Sequence, residues 1–475
     1  MRPLLLLWAL LFGMGCSLVT DHYAECQGSA QCPAGRFCVQ NYCVAVNCAA
    51  TYGQADAGNA IWLGAALPLT NATGKVDQAQ AVDFEAFVLA LNEVNQRGVG
   101  GRPFAITECD TQNDPVLVNN AINYLVAQKR IAAVLTSHSS QALAATPNAV
   151  SQGVLVMSAT ATSPELSTLN ASVPVAGGGT VRMLWRTAPS DVIQGQVIAN
   201  LITRNDAVDG GYPYLRNVHR LGIFYENDPY GQGLAHAVQR ALGSSGSSLT
   251  VGAFQYTAGQ DTSAVVAQLD TFHPDLTLAI GFPSDLIPVL VQAAQRPNLT
   301  HHQDGSGHRW FFTDSAEADA LLADPIALGQ VQGALGSAPA QGAGLGYQTF
   351  AASFRTQYSV DPSTTAFTSH SYDAMYLLAL GAASAVGPGP AYSGAVTGPR
   401  IALGLTHVSE GAPFELGPTD FTPAAAALEQ GTSINVAGAS GSLDFNPLTG
   451  EAPSPISIWQ ISGTTISTLT TLPPP

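Results

Sequence analysis

The sequence carries little charge for its length. Asp, Glu, Lys and Arg together make up 11% of its 475 residues, and the 33 acids outnumber the 17 bases to give a formal net charge of −16. A chain of this sign repels phosphate groups, so nucleic acids and anionic membrane surfaces are excluded as partners. After residue 16 the sequence also lacks any run approaching the roughly 20 apolar residues of a membrane-spanning helix.

Motifs that mark common catalytic sites are absent as well. There is no GxSxG nucleophile elbow, no HExxH zinc motif and no Walker loop. His301, His302 and His308 lie near Asp304 and could ligate a metal, but the Gly-containing segment around them is typical of a surface loop. The sequence therefore predicts a protein that is not an enzyme and that has neither a cofactor nor a bound metal.

The first residues have the pattern of a secretory signal. Arg2 precedes an apolar run, and small residues follow it, so we expect residues 1–15 to be a signal peptide. Gly13-Met14-Gly15-Cys16 resembles a bacterial lipobox, although Gly13 stands where Leu is usual. The odd count of seven cysteines favours lipidation of Cys16, because it leaves six that can pair. Cleavage by ordinary signal peptidase after Gly15 is the alternative.

The other cysteines are concentrated near the N-terminus. Residues 16–58 form a Cys-rich tether too short to bury its own core, and disulfides are expected to stabilise it. Zinc is the competing interpretation, but no CxxC pair is present and only His22 lies nearby. Five cysteines cannot pair among themselves, so one in the following lobe can take the fifth, and the connectivity stays open. The disulfide candidates are Cys26, Cys32, Cys38, Cys43, Cys48 and Cys109.

Apolar strand-like runs alternate with helical patterns through most of the chain. The runs at 61–67, 104–108 and 131–135 are separated by helical patterns at 77–96 and 115–128. This rhythm predicts a doubly wound parallel α/β sheet, and its restart after residue 187 predicts a second sheet of the same kind. We divide the chain into a first lobe at 59–187 and 337–440, a second lobe at 188–336, and C-terminal strands within 441–475.

Residues 131–166 form a strand–helix–strand unit that places small hydroxyl side chains at one edge of the first sheet. Ser139 and Ser140 follow one strand, and Thr160 and Thr162 follow the next. In a parallel sheet these ends share one crevice with the amides of the following helix starts, so the four hydroxyls are expected to converge there. Such a site suits a carboxylate. Helix capping is the alternative role of these residues, and both roles can hold.

The unit at 131–166, with Ser163-Pro164-Glu165-Leu166 at its end, resembles the branched-chain amino-acid receptors, the type I periplasmic substrate-binding proteins of ABC transporters. Three further stretches support the resemblance, which covers about 59–461: residues 108–115 (ECDTQNDP), 186–191 (RTAPSD) and 228–233 (DPYGQG). It implies two lobes joined by three hinge crossings, the first near 184–189 and the third at 441–445. We expected the chain to return to the first lobe near 332–337.

The resemblance also implies roles for particular residues. Ser139, Ser140, Thr160 and Thr162 match positions that hold the ligand's carboxylate and share its ammonium group. Tyr230 matches an aromatic residue that closes on the ligand from the second lobe. Phe282 stands where leucine-type receptors carry Tyr, which leaves the ligand open. Asp314 is expected to supply the acid for an ammonium group, with Ser315 as the alternative in that register.

We therefore predict a monomeric extracytoplasmic receptor in the bacterial cell envelope, either periplasmic or anchored by its lipid alone. Its ligand is a small amino-acid-like molecule, and its partner is an ABC permease. One alternative keeps the fold but serves a signalling partner. Another is an enzyme or adhesion lipoprotein that uses the lobes as a scaffold, which the missing catalytic motifs disfavour.

Overall fold

The computed structural model describes residues 25–33, 36–39, 41–71, 73–204, 212–302, 306–387 and 395–475. Cys16 and the predicted signal peptide lie outside these ranges, as does Asp304. Within the ranges, none of the helices combines the length and the apolar character that a bilayer crossing requires. The fold class is the predicted one, with two α/β lobes following a small Cys-rich segment.

The Cys-rich segment is a hairpin that packs on the first lobe. Strands β1 (Arg36–Val39) and β2 (Tyr42–Ala45) pair antiparallel. The ring of Phe37 lies 4.6 Å from that of Tyr124 in the lobe, measured between centroids. The hairpin is therefore docked against lobe one.

All six predicted disulfide cysteines are paired. Two bridges stay within the hairpin region, and the third ties it to the lobe, as the odd number of local cysteines required. The pairs are Cys26–Cys38, Cys32–Cys43 and Cys48–Cys109.

The first part of lobe one alternates strands and helices as expected. Its elements are β3 (Asn47–Gly53), β4 (Ile61–Leu67), α1 (Gln78–Val94), β5 (Phe104–Asp110), α2 (Pro115–Lys129), β6 (Ala133–Thr136), α3 (Ser139–Ser151), β7 (Leu155–Ser158), α4 (Glu165–Thr168), β8 (Ser172–Pro174), β9 (Thr180–Arg182) and β10 (Leu184–Arg186).

The second lobe repeats the alternation. Its elements are α5 (Asp191–Arg204), β11 (Arg220–Glu226), α6 (Pro229–Ser244), β12 (Thr250–Tyr256), α7 (Ser263–Phe272), β13 (Leu276–Ile280), α8 (Pro283–Ala293), β14 (Arg309–Phe312), α9 (Pro325–Gln330) and β15 (Leu335–Pro339).

The chain then returns to lobe one and ends in lobe two. The returning part contains α10 (Leu345–Tyr358), α11 (Thr368–Ala385), α12 (Gly398–Leu405), β16 (Ala412–Glu415), α13 (Pro418–Glu429), β17 (Ile434–Gly438) and β18 (Gly441–Ser442). The last two strands are β19 (Ile456–Ser462) and β20 (Thr465–Leu472).

The first sheet has the order β10-β7-β6-β4-β5-β3. Its strands are parallel except β3, which pairs antiparallel with β5. The sequence interpretation placed β3 in the Cys-rich tether, whereas its backbone hydrogen bonds make it the edge strand of the lobe. The lobe's sheet therefore begins before residue 59. One apolar cluster covers each face of this sheet, with α1 and α11 on one face and α2 and α3 on the other.

The second sheet has the order β12-β11-β13-β14-β15-β19-β20. The first five strands are parallel, and β19 and β20 add an antiparallel edge. Strand β15 pairs with β14 and β19, so the chain leaves this lobe after Pro339 and not near 332–337 as expected. Local sequence could not assign β15 to the second lobe, because its antiparallel partner β19 lies far away in the sequence.

Three chain passages join the lobes, and the third differs from the expected one. Gly441–Ser442 pairs with β17 in a small sheet of lobe one, and Phe445 packs against Trp185 with ring centroids 5.3 Å apart. Ala452 also belongs to the first lobe's core. The third crossing therefore lies between Ala452 and Ile456, inside 441–475 but after the predicted 441–445.

Aspartates begin several helices on the sheet edges. Asp77 accepts from the Gln80 amide at the start of α1, and Asp228 accepts from the Gly231 amide at the start of α6. A carboxylate at this position satisfies amides that lack a partner within the helix and complements the helix dipole. These caps fix where the helices begin relative to the strand ends.

The disulfides have separable roles. Replacing Cys48 and Cys109 by Ala opens a cross-link spanning 61 residues between β3 and β5, and we expect the lobes to lose about 2 to 4 kcal/mol of unfolding free energy. The matched control replaces Cys26 and Cys38, whose bridge spans 12 residues outside the sheet. Urea denaturation of both variants should move the lobe transition only in the first, and equal shifts would show that the hairpin bridge also supports the lobe.

Candidate ligand-binding cleft

The loops after β6 and β7 are held together by their hydroxyl side chains. The Thr160 hydroxyl oxygen accepts from the His138 amide at 3.0 Å, and the Ser139 hydroxyl oxygen accepts from the Ser163 amide at 3.1 Å. Ser139 and Thr160 are both buried. The two loops therefore lie together at one sheet edge, as the sequence indicated, and each hydroxyl keeps its proton for donation to another group.

Thr162 and Ser140 differ in their surroundings. The Thr162 side chain is 1% exposed, and its hydroxyl has no partner within hydrogen-bond geometry. Its carbonyl accepts from the Asp191 amide at 2.9 Å, which places it beside the start of α5. Ser140 is less buried, and its hydroxyl donates to the Asn113 side chain at 3.3 Å. The Thr162 side chain lies close enough to the Asp191 carboxyl to lower its pKa, whereas the Ser140 hydroxyl bonds within lobe one.

Tyr230 and Asp314 form a buried network in the second lobe. The Tyr230 hydroxyl donates to the Asp314 carboxylate at 2.9 Å and is bonded to the Thr313 hydroxyl at 2.7 Å. Gln194 donates to the same Asp314 oxygen at 3.0 Å. Ser315, the alternative to Asp314, donates to the Gly281 carbonyl at 2.8 Å. Asp314 and Ser315 thus both border Tyr230, and the acid's oxygen is already engaged by two donors.

Phe282 brings the two lobes into contact. Its ring centroid lies 4.7 Å from that of His138 in lobe one and 6.0 Å from that of Tyr230 in lobe two. His138 has a φ of 44°, an uncommon value for a residue with a side chain. Burial lowers the pKa of His138, so its neutral form is favoured there.

The helix α6 touches lobe one close to this ring contact. A Cβ atom on Gly233 would lie 2.8 Å from Pro164 Cδ and 3.1 Å from Ser163 Oγ. Only a residue without a side chain fits at this distance. The lobes therefore meet along α6 and the loop after β7.

Asp191 is the residue that sequence reasoning missed. It is fully buried at the start of α5, and neither carboxylate oxygen has a hydrogen-bond partner. Burial raises its pKa well above the ordinary range, the nearby Asp314 carboxyl raises it further, and Thr162 and Arg186 oppose the rise. The signal was present, because Asp191 ends the RTAPSD stretch after the first hinge strand.

Arg186 organises the same region. It donates through Nη1 to the carbonyls of Ala161 and Ser163 at 3.1 and 2.9 Å, and it forms an ion pair with Glu451. Its side chain is 1% exposed. Arg186 thereby fixes the loop that carries Thr162 to the segment preceding the third crossing.

The histidine cluster of the sequence has a structural explanation. His301 Nδ1 is bonded to the His308 carbonyl, and His308 Nδ1 to the Pro274 carbonyl, at 2.9 and 3.1 Å. Each ring thus has a backbone partner in the second lobe. These backbone hydrogen bonds could not be predicted from the sequence, in which the same histidines also fit a metal site.

Taken together, the structure brings Ser139, Thr160, Tyr230, Phe282 and Asp314 to the edges where the lobes meet. Thr162 lies there as well, beside the missed Asp191, whereas Ser140 bonds toward the loop after β5. Hydroxyls that can donate lie on the first lobe, and buried carboxyls lie on the second. Hydrogen-bond donors of lobe one thus lie near buried carboxyl groups of lobe two.

Comparison with known proteins gives this fold a family. Residues 63–463 match the family model described as "Periplasmic binding protein". Over 231 residues the chain is 27% identical to a leucine-specific-binding protein of Salmonella typhimurium, a match covering 46% of this chain and 55% of that protein. The chain thus spans about half the length of that curated relative.

Two further similarities extend over most of the chain. A chemotactic signal transduction system substrate-binding protein of Halobacterium salinarum, BasB, is 24% identical over 401 residues, 83% of this chain and 86% of that protein. The crystal structure of the leucine binding protein LivK of Thermotoga maritima is similar with a TM-score of 0.66 at 18% identity, covering 87% of this chain and 99% of that one. At that identity the likeness shows the fold alone. The chain belongs to the periplasmic binding protein family, with the type I architecture of its branched-chain amino-acid receptors.

Proposed function

We propose that this protein captures a small amino-acid-like ligand between its lobes and delivers it to an ABC importer, without chemistry of its own. The observation that carries the proposal is the pair of unsatisfied polar groups at the lobe junction. Thr162 offers a hydroxyl from lobe one, and Asp191 offers two carboxylate oxygens at the start of lobe two. A zwitterion supplies a partner for each.

Binding of this kind couples to closure. A ligand shifts the lobes toward contact only if it interacts better with the closed form than with the open form. Groups contributed by both lobes meet this condition, and Phe282 against His138 shows where the lobes touch. Native mass spectrometry of the purified protein tests the proposal by identifying any co-purified ligand. Protein that binds no amino acid or related amine would contradict it.

A ligand sensor for a signalling partner is the second candidate. It is favoured by the BasB similarity, which covers 86% of that chemotactic protein. Uptake of the identified ligand in cells lacking this protein separates the two roles. Lost uptake supports import, whereas normal uptake with a lost response supports sensing. We propose a monomer in either case.

Anchoring is proposed through a lipid on Cys16, which places the receptor on the outer side of a bacterial membrane. The support is the apolar run before Cys16 and the complete pairing of the other six cysteines. We expect wild-type protein to partition into detergent and Cys16→Ser to remain in the aqueous phase, as phase separation with immunoblotting measures. Identical partitioning would rule out the anchor.

The hydroxyl of Thr162 is expected to bond the ligand's charged head group. Thr162→Val keeps the shape and removes the donor, leaving a charged group short of one partner. Such bonds are worth roughly 1.5 to 3 kcal/mol, so we expect affinity to fall about ten- to a hundredfold in calorimetry. Thr356→Val, on the exposed side of α10, is the matched control. Unchanged affinity in Thr162→Val would place the ligand elsewhere.

Closure is predicted to depend on Gly233. Gly233→Leu puts a side chain where Pro164 and Ser163 approach, so the lobes should remain further apart and the ligand should bind at least tenfold more weakly. Gly243→Leu on the same helix has open space around it and serves as the control. Calorimetry measures affinity, and small-angle scattering measures compaction. Equal binding and compaction in both variants would mean that this contact does not form on closure.

A further inference from the structure

Carboxyl groups accumulate where the second lobe faces the cleft. Asp191, Glu226 and Asp314 are buried near the carboxyl edge of its sheet, and Asp228 is half-buried there. Among the described residues, Arg186 is the cation that acts on Asp191, and its donors are committed to Glu451 and to loop carbonyls. The protein thus supplies acids here without matching bases.

The first of two acidic positions is built around Asp191. Both of its oxygens lack a partner, and so does the side-chain oxygen of Gln194, one turn later on the same face of α5. Gln194 also donates to Asp314, which places that carboxyl beside the pair. Thr162 borders this position from lobe one. One ammonium group here would satisfy several acceptors.

The second acidic position is built around Glu226. Glu226 ends β11 opposite Tyr256 in β12, and one Glu226 oxygen and the Tyr256 hydroxyl are buried without partners. A Cβ on Gly281 would lie 1.8 Å from the Tyr256 hydroxyl, so this group lies directly over the segment that leads into Phe282. Asp228 adds charge nearby but is engaged in capping α6. Both positions lie at the carboxyl edge of the second sheet, and the Asp228 carboxyl is close enough to Asp191 and to Glu226 to raise the pKa of each.

The charges at this cleft favour ligands that carry more than one cationic group over ligands that carry one. A buried carboxylate without a counter-charge is strongly disfavoured. Accordingly, burial and the neighbouring acids raise the pKa of Glu226 to about 9, and burial raises the pKa of Asp314 to about 6. A zwitterion with an apolar side chain brings one cation and one anion, so it leaves the second position unpaired. An amino acid with a cationic side chain brings a charge for each position.

Building on the proposed function, we propose that the ligand is a basic amino acid whose side chain ends in an amine or guanidinium group. Its carboxylate binds the lobe-one hydroxyls around Thr162. Its α-ammonium binds Asp191 and Asp314, and its terminal cation binds Glu226 and the Tyr256 hydroxyl. Asp191 and Glu226 are then the residues that determine specificity.

The test uses lysine and norleucine, which differ by the terminal amine, together with ornithine, arginine and cadaverine. Calorimetry should find the best of the three basic amino acids bound at least tenfold more tightly than norleucine. Cadaverine, which is lysine without its carboxylate, should bind more weakly than lysine. Norleucine binding as tightly as every basic amino acid would overturn the inference and leave the proposed function intact. If no amino acid or amine binds, the proposed function itself fails.

Two substitutions test which acid binds which cationic group of the ligand. Glu226→Gln should reduce the preference for the basic ligand over norleucine at least fivefold, because the lost charge faces only the terminal cation. Asp191→Asn should weaken both ligands, because both carry the α-ammonium. Asp361→Asn, an exposed acid paired with Arg355, is the charge-matched control. A Glu226→Gln variant that unfolds at the parent's midpoint yet keeps the full preference would overturn the role of Glu226.

Discussion

One guanidinium, that of Arg186, connects the parts of the molecule that must keep a fixed geometry. It leaves the first hinge strand, bonds two carbonyls of the loop around Thr162, and pairs with Glu451 before the last crossing. A buried ion pair adds little net stability over an apolar pair, but losing one partner leaves an uncompensated charge and is strongly destabilising. Its contribution is therefore positional: the loop around Thr162 is fixed relative to two of the three passages that join the lobes. Because its donors are committed, Arg186 forms no hydrogen bond with Asp191, and its charge only opposes part of the rise in the pKa of that acid.

This commitment explains an otherwise costly arrangement. The chain has few charges, yet it buries several acids at one sheet edge. Asp314 is stabilised by Tyr230 and Gln194, and Asp228 by the start of α6. Asp191 and Glu226 keep oxygens with no such support. Hydrogen bonds thus stabilise the acids that shape the site, and the oxygens left over are the ones available to a cation.

The sequence predicted the elements whose structure depends only on neighbouring residues. The expected strand at 61–67 coincides with β4, because continuous apolar runs between turns define buried parallel strands without reference to the rest of the chain. Strand β3 escaped prediction because it alternates exposed and half-buried residues and pairs with β5 more than 50 residues later. The third crossing was misplaced for the same reason. Thr162 was expected at the edge from the strand ends and from motif resemblance, and Tyr230 from resemblance alone. The unpartnered oxygens of Asp191 result from burial, which the sequence does not show.

On the proposed function, closure of the lobes is a balance between two kinds of contact. Phe282 against His138, and Gly233 against Pro164, are made by the protein alone and favour the closed form with or without ligand. The acids oppose them, since closing the cleft removes water from carboxyls that have no cation. If only a fraction of the molecules is closed, the apparent affinity falls in proportion to that fraction. A cation between the lobes removes the opposing contribution and leaves the apolar contacts in place. On the proposed function, ligand charge, more than ligand size, is then what stabilises the closed form.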